Sequence, residues 1–188
     1  MSALGPRRAP ARGYTAVEVT IALALLAIGA SGIIALQKIT LQSTTNARNI
    51  ATANQIAVTW TERLRADASM WNNPITGSDL SDTTWLRSAT SPPSTWFVPS
   101  STAPGGSAWA NIEGRDIYPG AGGMGAFCTH LRLVRLYPSM IRAEIRVFWR
   151  RNGMPVACDT NPATIGADSD VYGIIQIATG VFNTVTPT

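Results

Sequence analysis

The chain has 188 residues, enough for one globular domain and an appended segment. Hydrophobic residues make up 45% of it and charged residues only 14%, which supports a buried core and disfavours a soluble cytoplasmic protein. Of the 15 basic residues, Arg7, Arg8 and Arg12 precede the first apolar run, which leaves 12 against 11 acidic residues. Bulk charge therefore gives no support for binding to nucleic acid.

The first predicted element is a helix that follows a basic leader. The segment "RRAPARGYTAVEVTIALALLAIGA" occupies residues 7–30, and no charged residue occurs between positions 19 and 36. A helix over these 18 residues is about 27 Å long, close to the thickness of the hydrocarbon core of a bilayer. Glu18 stands at the start of the run, where a carboxylate costs roughly 2–3 kcal/mol or more. We therefore expect this charge to have a specific function.

The helix is predicted to continue well beyond the apolar run. No proline or glycine occurs from position 37 to 71, whereas a cleavable secretory signal has a shorter apolar core that ends in a break. A helix from about Tyr14 to about Ala68 would be roughly 80 Å long, so half of it must be buried in something other than the globular domain. Apolar residues spaced mainly three and four apart form the stripe expected to pack on a partner. They are Ile39, Ile50, Ala53, Ile56, Ala57, Trp60 and Leu64.

These residues, taken in register, resemble the signal of a known family. The segment "RGYTAVEVTIALALLAIGA" is similar to the class III signal of type IV pilins and of the related type II secretion pseudopilins. The resemblance implies that a prepilin peptidase cuts after Gly13 on the cytoplasmic side of the membrane and removes the leader, residues 1–13. It also implies methylation of Tyr14, where the family usually has phenylalanine. Tyrosine keeps the aromatic ring.

The resemblance also implies a function for Glu18, which would be the fifth residue of the mature chain. Cleavage would leave a positively charged amine on Tyr14 near the membrane core, where it is costly to leave unpaired. The Glu18 carboxylate of a neighbouring subunit would pair with this amine when helices bundle into a filament. The structural alternative is an interfacial glutamate on an ordinary single-pass anchor.

A membrane-anchored domain organisation follows from the same resemblance. Residues 14–41 would form a transmembrane and filament-core helix, and residues 42–188 a periplasmic globular domain. The chain would cross the bacterial inner membrane once before assembly and would lie in an extracellular pilus or its tip afterwards. The implied partners are membrane lipid before assembly, the prepilin peptidase, the inner-membrane assembly platform, other minor pilins, the major pilin and a tip adhesin. Nucleic acid is not an expected partner.

Residues 72–125 are rich in proline, glycine, serine and threonine and are predicted to form an irregular αβ-loop. Trp85, Trp96 and Trp109 argue against simple disorder, because linkers are poor in aromatic residues. These rings either pin the loop onto the sheet and helix, which we favour, or contact a subunit or ligand. The stretch "GAGGMG" at residues 120–125 matches a dinucleotide-binding motif in its letters alone, since a strand is expected after it instead of a helix.

Strands are predicted from residue 126 to residue 182. The segments "FCTHLRLVRLY" and "VYGIIQIATGVF" flank "MIRAEIRVFWR", in which alternating residues predict a strand with one buried face. The following "RRNG" predicts a turn. We expect an α+β protein with the type IV pilin fold, in which an antiparallel sheet of about four strands packs on the C-terminal half of the long helix.

Arginines cluster in the central strands and the turn after them. They are Arg132, Arg135, Arg142, Arg146, Arg150 and Arg151. Arg142 and Arg146 flank Glu144 on one strand face, so we expect a solvated face with internal ion pairs. The alternative is a basic patch for DNA or an acidic partner, which would make Arg142 and Arg146 surface contacts.

The two cysteines, Cys128 and Cys158, lie far beyond the apolar segment. In an exported chain an even pair predicts a disulfide, whereas in a cytosolic chain these would be two reduced core thiols. The pilin resemblance implies the disulfide. This bond would close a loop of roughly 30 residues and stabilise the domain by about 3–4 kcal/mol.

The sequence does not predict an enzyme, a cofactor or a metal site. His130 is the only histidine, which excludes a multi-histidine relay or a histidine-based metal site. Asp168 and Asp170 are too few ligands for calcium. No nucleophile elbow, Walker loop or zinc spacing occurs.

The segment "VFWRRNG" at residues 147–153 resembles the V-x-W pattern of PilV-type minor pilins and of GspI-type pseudopilins. The expected function is therefore that of a minor pilin, which helps to prime assembly of a type IV pilus or forms its tip without catalysis. One alternative is a minor pseudopilin of a type II secretion system. The other is a tip-located binding module for adhesion or DNA uptake, which would present the tryptophan-rich loop or the arginine face.

Overall fold

The structure of the chain is a computed structural model that describes residues 13–73, 75, 79–92, 95–99, 106–118, 124–159 and 161–184. It comprises two compact units, Met1–Thr45 and Asn46–Thr188. Helix α1 belongs to both and runs over 56 residues, Ala16–Trp71. The prediction of one uninterrupted helix is confirmed, to within about one turn at each end.

The first unit contains the apolar part of α1, which is long and apolar enough to span a membrane. Every described side chain from residue 13 to residue 48 is exposed. Several hydroxyl groups of this stretch bond to the helix itself: Thr20 Oγ1 donates to the carbonyl of Val17 and Ser31 Oγ to that of Ile28, both at 2.8 Å. Because these donors are satisfied locally, they are compatible with an apolar environment.

The second unit buries one stripe of α1. The buried residues are Ala53, Ile56, Ala57, Trp60, Thr61, Leu64, Asp67, Ala68 and Trp71. Their spacing of three and four residues confirms the predicted stripe from Ala53 onward. Ile39 and Ile50 are exposed, since the buried stripe begins only at Ala53; that these two residues pack on a partner stays a prediction.

The chain after α1 forms short turns and then strands. Two 3-10 turns, Leu80–Asp82 and Leu86–Ser88, precede the strands. The strands are β1 (Trp109–Ala110), β2 (Asp116–Ile117), β3 (Met124–Gly125), β4 (Phe127–Tyr137), β5 (Met140–Arg150), β6 (Val156–Ala157) and β7 (Tyr172–Phe182). A short helix, α2 (Pro162–Ala167), lies between β6 and β7.

The described strands form a five-stranded antiparallel sheet in the order β2-β1-β4-β5-β7, beside a two-stranded pair of β3 and β6. The α+β class and the three long strands are as predicted. The sheet has five strands instead of about four because β1 and β2 arise within residues 72–125, which were predicted to be irregular. A turn with Gly114 at φ +79° joins β1 to β2, a conformation that favours glycine.

The sheet is covered by α1 on one face and by other segments over part of the opposite face. The first core lies between α1 and the sheet, and includes Trp60, Leu64, Leu131 and Ile145. The second core comprises Ala108, Cys128, Phe148, Val156, Cys158, Ile165 and Tyr172. The prediction of one buried face for β5 is therefore wrong, because the second core and the chain around Trp96 cover part of its other face.

The disulfide lies inside the second core. Cys128 in β4 and Cys158 just after β6 are bonded, with their Cα atoms 5.4 Å apart, an ordinary separation for a disulfide. Both residues are buried. The bond therefore ties the segment that covers the outer face of the sheet to a central strand.

Candidate assembly surfaces

The predicted cleavage site precedes α1 and is open. Tyr14 is 83% exposed. A Cβ built on Gly13 would meet no described atom within 4 Å, and Gly13 is not one of the described glycines with positive φ. Neither packing nor backbone conformation among the described residues therefore requires glycine at this position.

Thr15 begins the helix and gives Glu18 a local contact. The Oγ1 atom of Thr15 accepts a hydrogen bond from the backbone N–H of Glu18 at 3.2 Å. This is half of the capping box S/T-x-x-E, and an acidic residue in the first turn also complements the helix dipole. Sequence reasoning missed Thr15, although the pattern "TAVE" was enough to identify it.

Trp85 and the neighbouring backbone are held against α1. Its ring lies edge-on to that of Trp60, with the ring centroids 5.5 Å apart. A Cβ on Gly106 would lie 2.5 Å from the Trp85 ring, so the loop approaches the ring closely where it carries glycine. These contacts match the pinning role that we favoured for the tryptophans.

Asp67 fixes the same turn and was not identified from the sequence. Its carboxylate is buried and accepts hydrogen bonds from the backbone N–H groups of Thr84, Trp85 and Leu86, at 2.6, 2.9 and 2.9 Å. Buried carboxylates require such partners. The available signal was an aspartate on the apolar stripe of the helix, three residues after Leu64.

Glu144 joins two arginines on the outer face of the sheet. Its Oε2 atom accepts from Arg132 Nε at 2.7 Å and its Oε1 atom lies 3.0 Å from Arg142 Nε. Arg142 is about half exposed, whereas the glutamate side chain is nearly buried. The internal ion pair predicted for Arg142 is thus present, and Arg132 adds a second one.

Arg146 does not lie on a solvated face, so that part of the prediction is wrong. It is only 6% exposed. Its guanidinium lies 4.4 Å from the centre of the Trp96 ring, and that of Arg132 lies 4.9 Å from the same ring. The backbone of Phe97, next to Trp96, pairs with Leu131 in β4. The loop therefore covers Arg146 and provides its aromatic contact.

His130 is buried between Arg146 and the disulfide segment. Arg146 Nη2 lies 2.9 Å from Nδ1, and Nε2 lies 2.7 Å from the carbonyl oxygen of Cys158. Because a guanidinium only donates, Nδ1 accepts and Nε2 carries the proton. The pKa of His130 is lowered to about 4, chiefly by burial and to a smaller extent by the Arg146 charge, while the hydrogen bond to the Cys158 carbonyl partly opposes these two effects. His130 is therefore neutral at pH 7.

The remaining predicted residues form no common site with these groups. Trp109 lies in β1 and packs on the second core. Asp168 and Asp170 are exposed in the turn before β7. In the described residues, no group of three or more histidine, cysteine or acidic side chains could hold a metal ion. Of the "GAGGMG" stretch, residues 120–123 lie outside the described residues, and Met124–Gly125 form β3.

No protein-family model, curated protein or solved structure matches the chain. The geometry combines an open, apolar N-terminal helix with a domain in which Arg132, Arg142 and Glu144 bond to one another on the outer face of the sheet.

Proposed function

We propose that this chain is a minor pilin of a type IV pilus, which is cut after Gly13 and helps to prime assembly or to form the tip of the filament. The observation that carries the proposal is the uninterrupted helix that begins just after Gly13, with Glu18 in its first turn and exposed apolar side chains along its first half. A peptidase that must fit the backbone at the residue before the cut gives Gly13 a function at the start of this helix.

The exposed part of α1 supports the same proposal. A surface of large apolar side chains from Val17 to Leu41 is costly in water and favourable in lipid or in a bundle of similar helices. Before assembly this segment crosses the inner membrane, with the second unit in the periplasm. After assembly it lies in the filament core, where lipid is replaced by neighbouring helices.

Glu18 acts at the moment of transfer between these two environments. Its carboxylate pairs with the amino terminus of a neighbouring subunit, so that two charges near the membrane core are compensated together. The hydrogen bond from Glu18 N–H to Thr15 fixes the first turn of the helix. Glu18 is thus in the first turn of the helix, four residues after the chain start that the proposed cleavage would produce.

The second unit has a structural role in this proposal. Its disulfide and its polar network stabilise a domain that must persist outside the cytoplasm. Because Trp85 and Trp96 already contact Trp60 and the arginines within the chain, we assign them to the fold and not to a ligand.

The deciding experiment is mass spectrometry of the chain purified from membranes of its native cells. We expect a mature chain that begins at a methylated Tyr14, and a Gly13→Leu variant that retains its leader. A Gly13→Ala variant is the milder control, because it adds only one methyl group. A wild-type chain that begins at any other residue would contradict the proposal.

Location separates the pilus from the alternative secretion system. Filaments sheared from the cell surface should contain the mature chain. If it is correctly processed but found only in the envelope of cells that secrete proteins through a type II system, the pseudopilin alternative is correct.

A further inference from the structure

Strand β7 forms one edge of the five-stranded sheet. It is 11 residues long and pairs along its full length with β5, without a register shift. No charged residue or proline occurs from position 171 to position 184. Long, uncharged edge strands are ready templates for another strand, and proteins usually protect them with lysine, proline or a bulge.

Hydrogen bonds at the two ends of β7 show which of its residues direct their backbone N–H and C=O groups towards β5 and which direct them away from it. The carbonyl of Val171 accepts from Arg151 N–H at 2.9 Å, and the N–H of Asn183 donates to the carbonyl of Ser139 at 2.8 Å, both on the β5 side. Since backbone groups alternate along a strand, odd-numbered residues bond towards β5 and even-numbered residues point away from it.

The outward groups at both ends of β7 are already bonded within the chain. Tyr172 N–H donates to the carbonyl of Asp168 at 2.9 Å. At the other end, the side-chain amide of Asn72 donates to the carbonyl of Phe182 at 3.1 Å and accepts from Thr184 N–H at 2.6 Å. Asn72 thus bonds to two alternate residues, as the backbone of an added strand would.

The middle of the strand is open. The outward backbone groups of Ile174, Gln176, Ala178 and Gly180 form no hydrogen bond with any residue that the structure describes. All four residues are exposed. They present an unpaired edge about seven residues long, bounded at each end by groups that stop a longer strand.

The side chains on the helix side of β7 define what fits this edge. Ile175 and Ile177 pack against the first core but remain only partly buried. An added strand would cover them, and apolar residues at its matching positions would gain burial. A charged residue there would lose hydration without a partner.

The opposite edge of the sheet is protected. Strand β2 has only two residues, and Asp116 in it forms an ion pair with Arg63 of α1, with 2.7 Å between Nη2 and Oδ2. A short, charged edge strand is a usual safeguard against strand addition. The contrast indicates that the open edge of β7 is not a general property of this sheet.

We propose that the edge from residue 174 to residue 180 is a docking site for an extended, uncharged segment of a different subunit of the assembly, which adds a sixth strand to the sheet. This inference rests on the proposed function, since it places the chain beside other membrane-anchored subunits. The incoming segment carries apolar side chains at the positions that face Ile175 and Ile177.

A twofold pair of copies of the chain does not fit this edge. Antiparallel pairing of two β7 strands requires a twofold axis perpendicular to the sheet, which reverses the part of α1 packed on it in the second unit. Subunits of the proposed filament add with one polarity, so two copies paired in this way do not belong to it. Twofold parallel pairing fails because in a parallel ladder the residue opposite a bonded residue faces away. The proposed occupant is therefore a different chain.

The experiment uses the full chain in its native cells, with the photoreactive residue p-benzoylphenylalanine in place of Gln176. Irradiation should join the chain to a different membrane-anchored subunit, identified by mass spectrometry. The same probe at Met154, which is exposed in the turn after β5, should give no such adduct.

An Ala178→Pro substitution then tests the backbone contact. Proline removes the outward N–H without removing a bond to β5, so the domain should still fold. The adduct yield should fall about fivefold, the effect expected for one lost hydrogen bond of about 1 kcal/mol. Ala178→Ser keeps the N–H and should leave the yield unchanged. If the proline variant does not form the disulfide, Ala178→Lys places a charge at the edge and should have the same effect.

Three results would overturn the inference: no adduct at position 176, an adduct with a second copy of the chain, or equal yields from the proline and serine variants. The proposed function fails separately. If the adduct forms but the chain is absent from sheared filaments, the docking edge stands and the pilus assignment is wrong. If the chain is present in sheared filaments but forms no adduct, the pilus assignment stands and the docking edge is wrong.

Discussion

Helix α1 contains two stretches whose apolar residues have opposite environments. In the first unit every described side chain from position 13 to position 45 is exposed, whereas in the second unit nine helix residues are buried. Burial in the second unit stabilises the domain, because apolar surface is removed from water on folding. The apolar residues of the first unit cannot act in this way. They lie in a stretch that is long and apolar enough to span a membrane.

The same substitution in both stretches tests most directly whether only the buried stretch stabilises the domain. Leu64 is 0% exposed and Leu26 is 67% exposed. Leu64→Ala should lower the free energy of unfolding by about 2–5 kcal/mol, through lost burial and a cavity. Leu26→Ala should leave it within about 0.5 kcal/mol of wild type. Denaturant unfolding of the full chain in detergent, monitored by tryptophan fluorescence, measures both.

Equal losses at the two positions would show that the first stretch contributes to the stability of the domain, which would remove the contrast. Membrane retention should respond in the opposite order. Leu26→Ala weakens partition into lipid by the few methylene groups removed, whereas Leu64→Ala leaves the apolar segment intact.

Asp67 tests whether the second unit depends on polar groups as well as apolar ones. Replacing it with alanine leaves three backbone N–H groups in the turn at Thr84, Trp85 and Leu86 without their acceptor. We expect a loss of about 3 kcal/mol in the free energy of unfolding, because unpaired buried donors are costly. Asp67→Asn keeps one acceptor oxygen and should lose less. An alanine variant as stable as wild type would show that water replaces the carboxylate.

The elements that were predicted correctly from the sequence are those with a periodic hydrophobic pattern, and the elements that were missed have no such pattern. The long helix and strands β4, β5 and β7 were predictable because their hydrophobic residues recur at the period of a helix or a strand. Strands β1 and β2 have two residues each, too few to show a period, and they form by pairing beside β4. Local sequence carries almost no information about such pairing.

The polar network on the outer face was only partly predictable. Alternation placed Arg142, Glu144 and Arg146 on one face of β5, which is correct. Whether that face is covered depends on whether the loop around Trp96 packs on it. Trp96 lies about 50 residues before Arg146 in sequence, so the pattern of the strand does not show this contact. A strand pattern cannot show that a remote ring covers one of its arginines. For the same reason the burial of His130 was not predictable.

His130 makes the second unit sensitive to acid. Its pKa is lowered from 6.5 to about 4, chiefly by burial, so the unfolded chain binds the proton more tightly than the folded one. The domain therefore has its full stability above about pH 6.5 and loses stability as the pH falls towards 4, by at most about 3 kcal/mol from this group.

His130→Gln should remove this contribution, because glutamine can still donate to the Cys158 carbonyl but does not titrate. The measurement is the free energy of unfolding at a series of pH values for both proteins, and the quantity of interest is the difference between the two curves. This difference should change between pH 6.5 and 4 and be flat above 6.5. A constant difference over the whole range would contradict the assignment of a neutral, buried histidine.

The smallest expected effect on stability belongs to Glu18, and it separates two functions of one residue. Glu18→Gln keeps a side chain that suits the third helix position, as in a capping box, but removes the charge. Glu18→Ala removes both. Neither substitution should change the unfolding of the second unit by more than about 0.5 kcal/mol, since Glu18 lies in the exposed stretch. Both should still be inserted and cleaved after Gly13.

If the carboxylate pairs with the amino terminus of a neighbouring subunit, both variants should be depleted from sheared filaments to the same extent, at equal abundance in the membrane. If Glu18 serves only to start the helix, the glutamine variant should behave like wild type and the alanine variant alone should show a defect. Thr15→Val supplies the matched control, because it removes the acceptor of the Glu18 N–H while leaving the carboxylate in place. Normal filaments from all three variants would mean that the exposed stretch needs only its apolar surface, and the charge near its start would have no part in assembly.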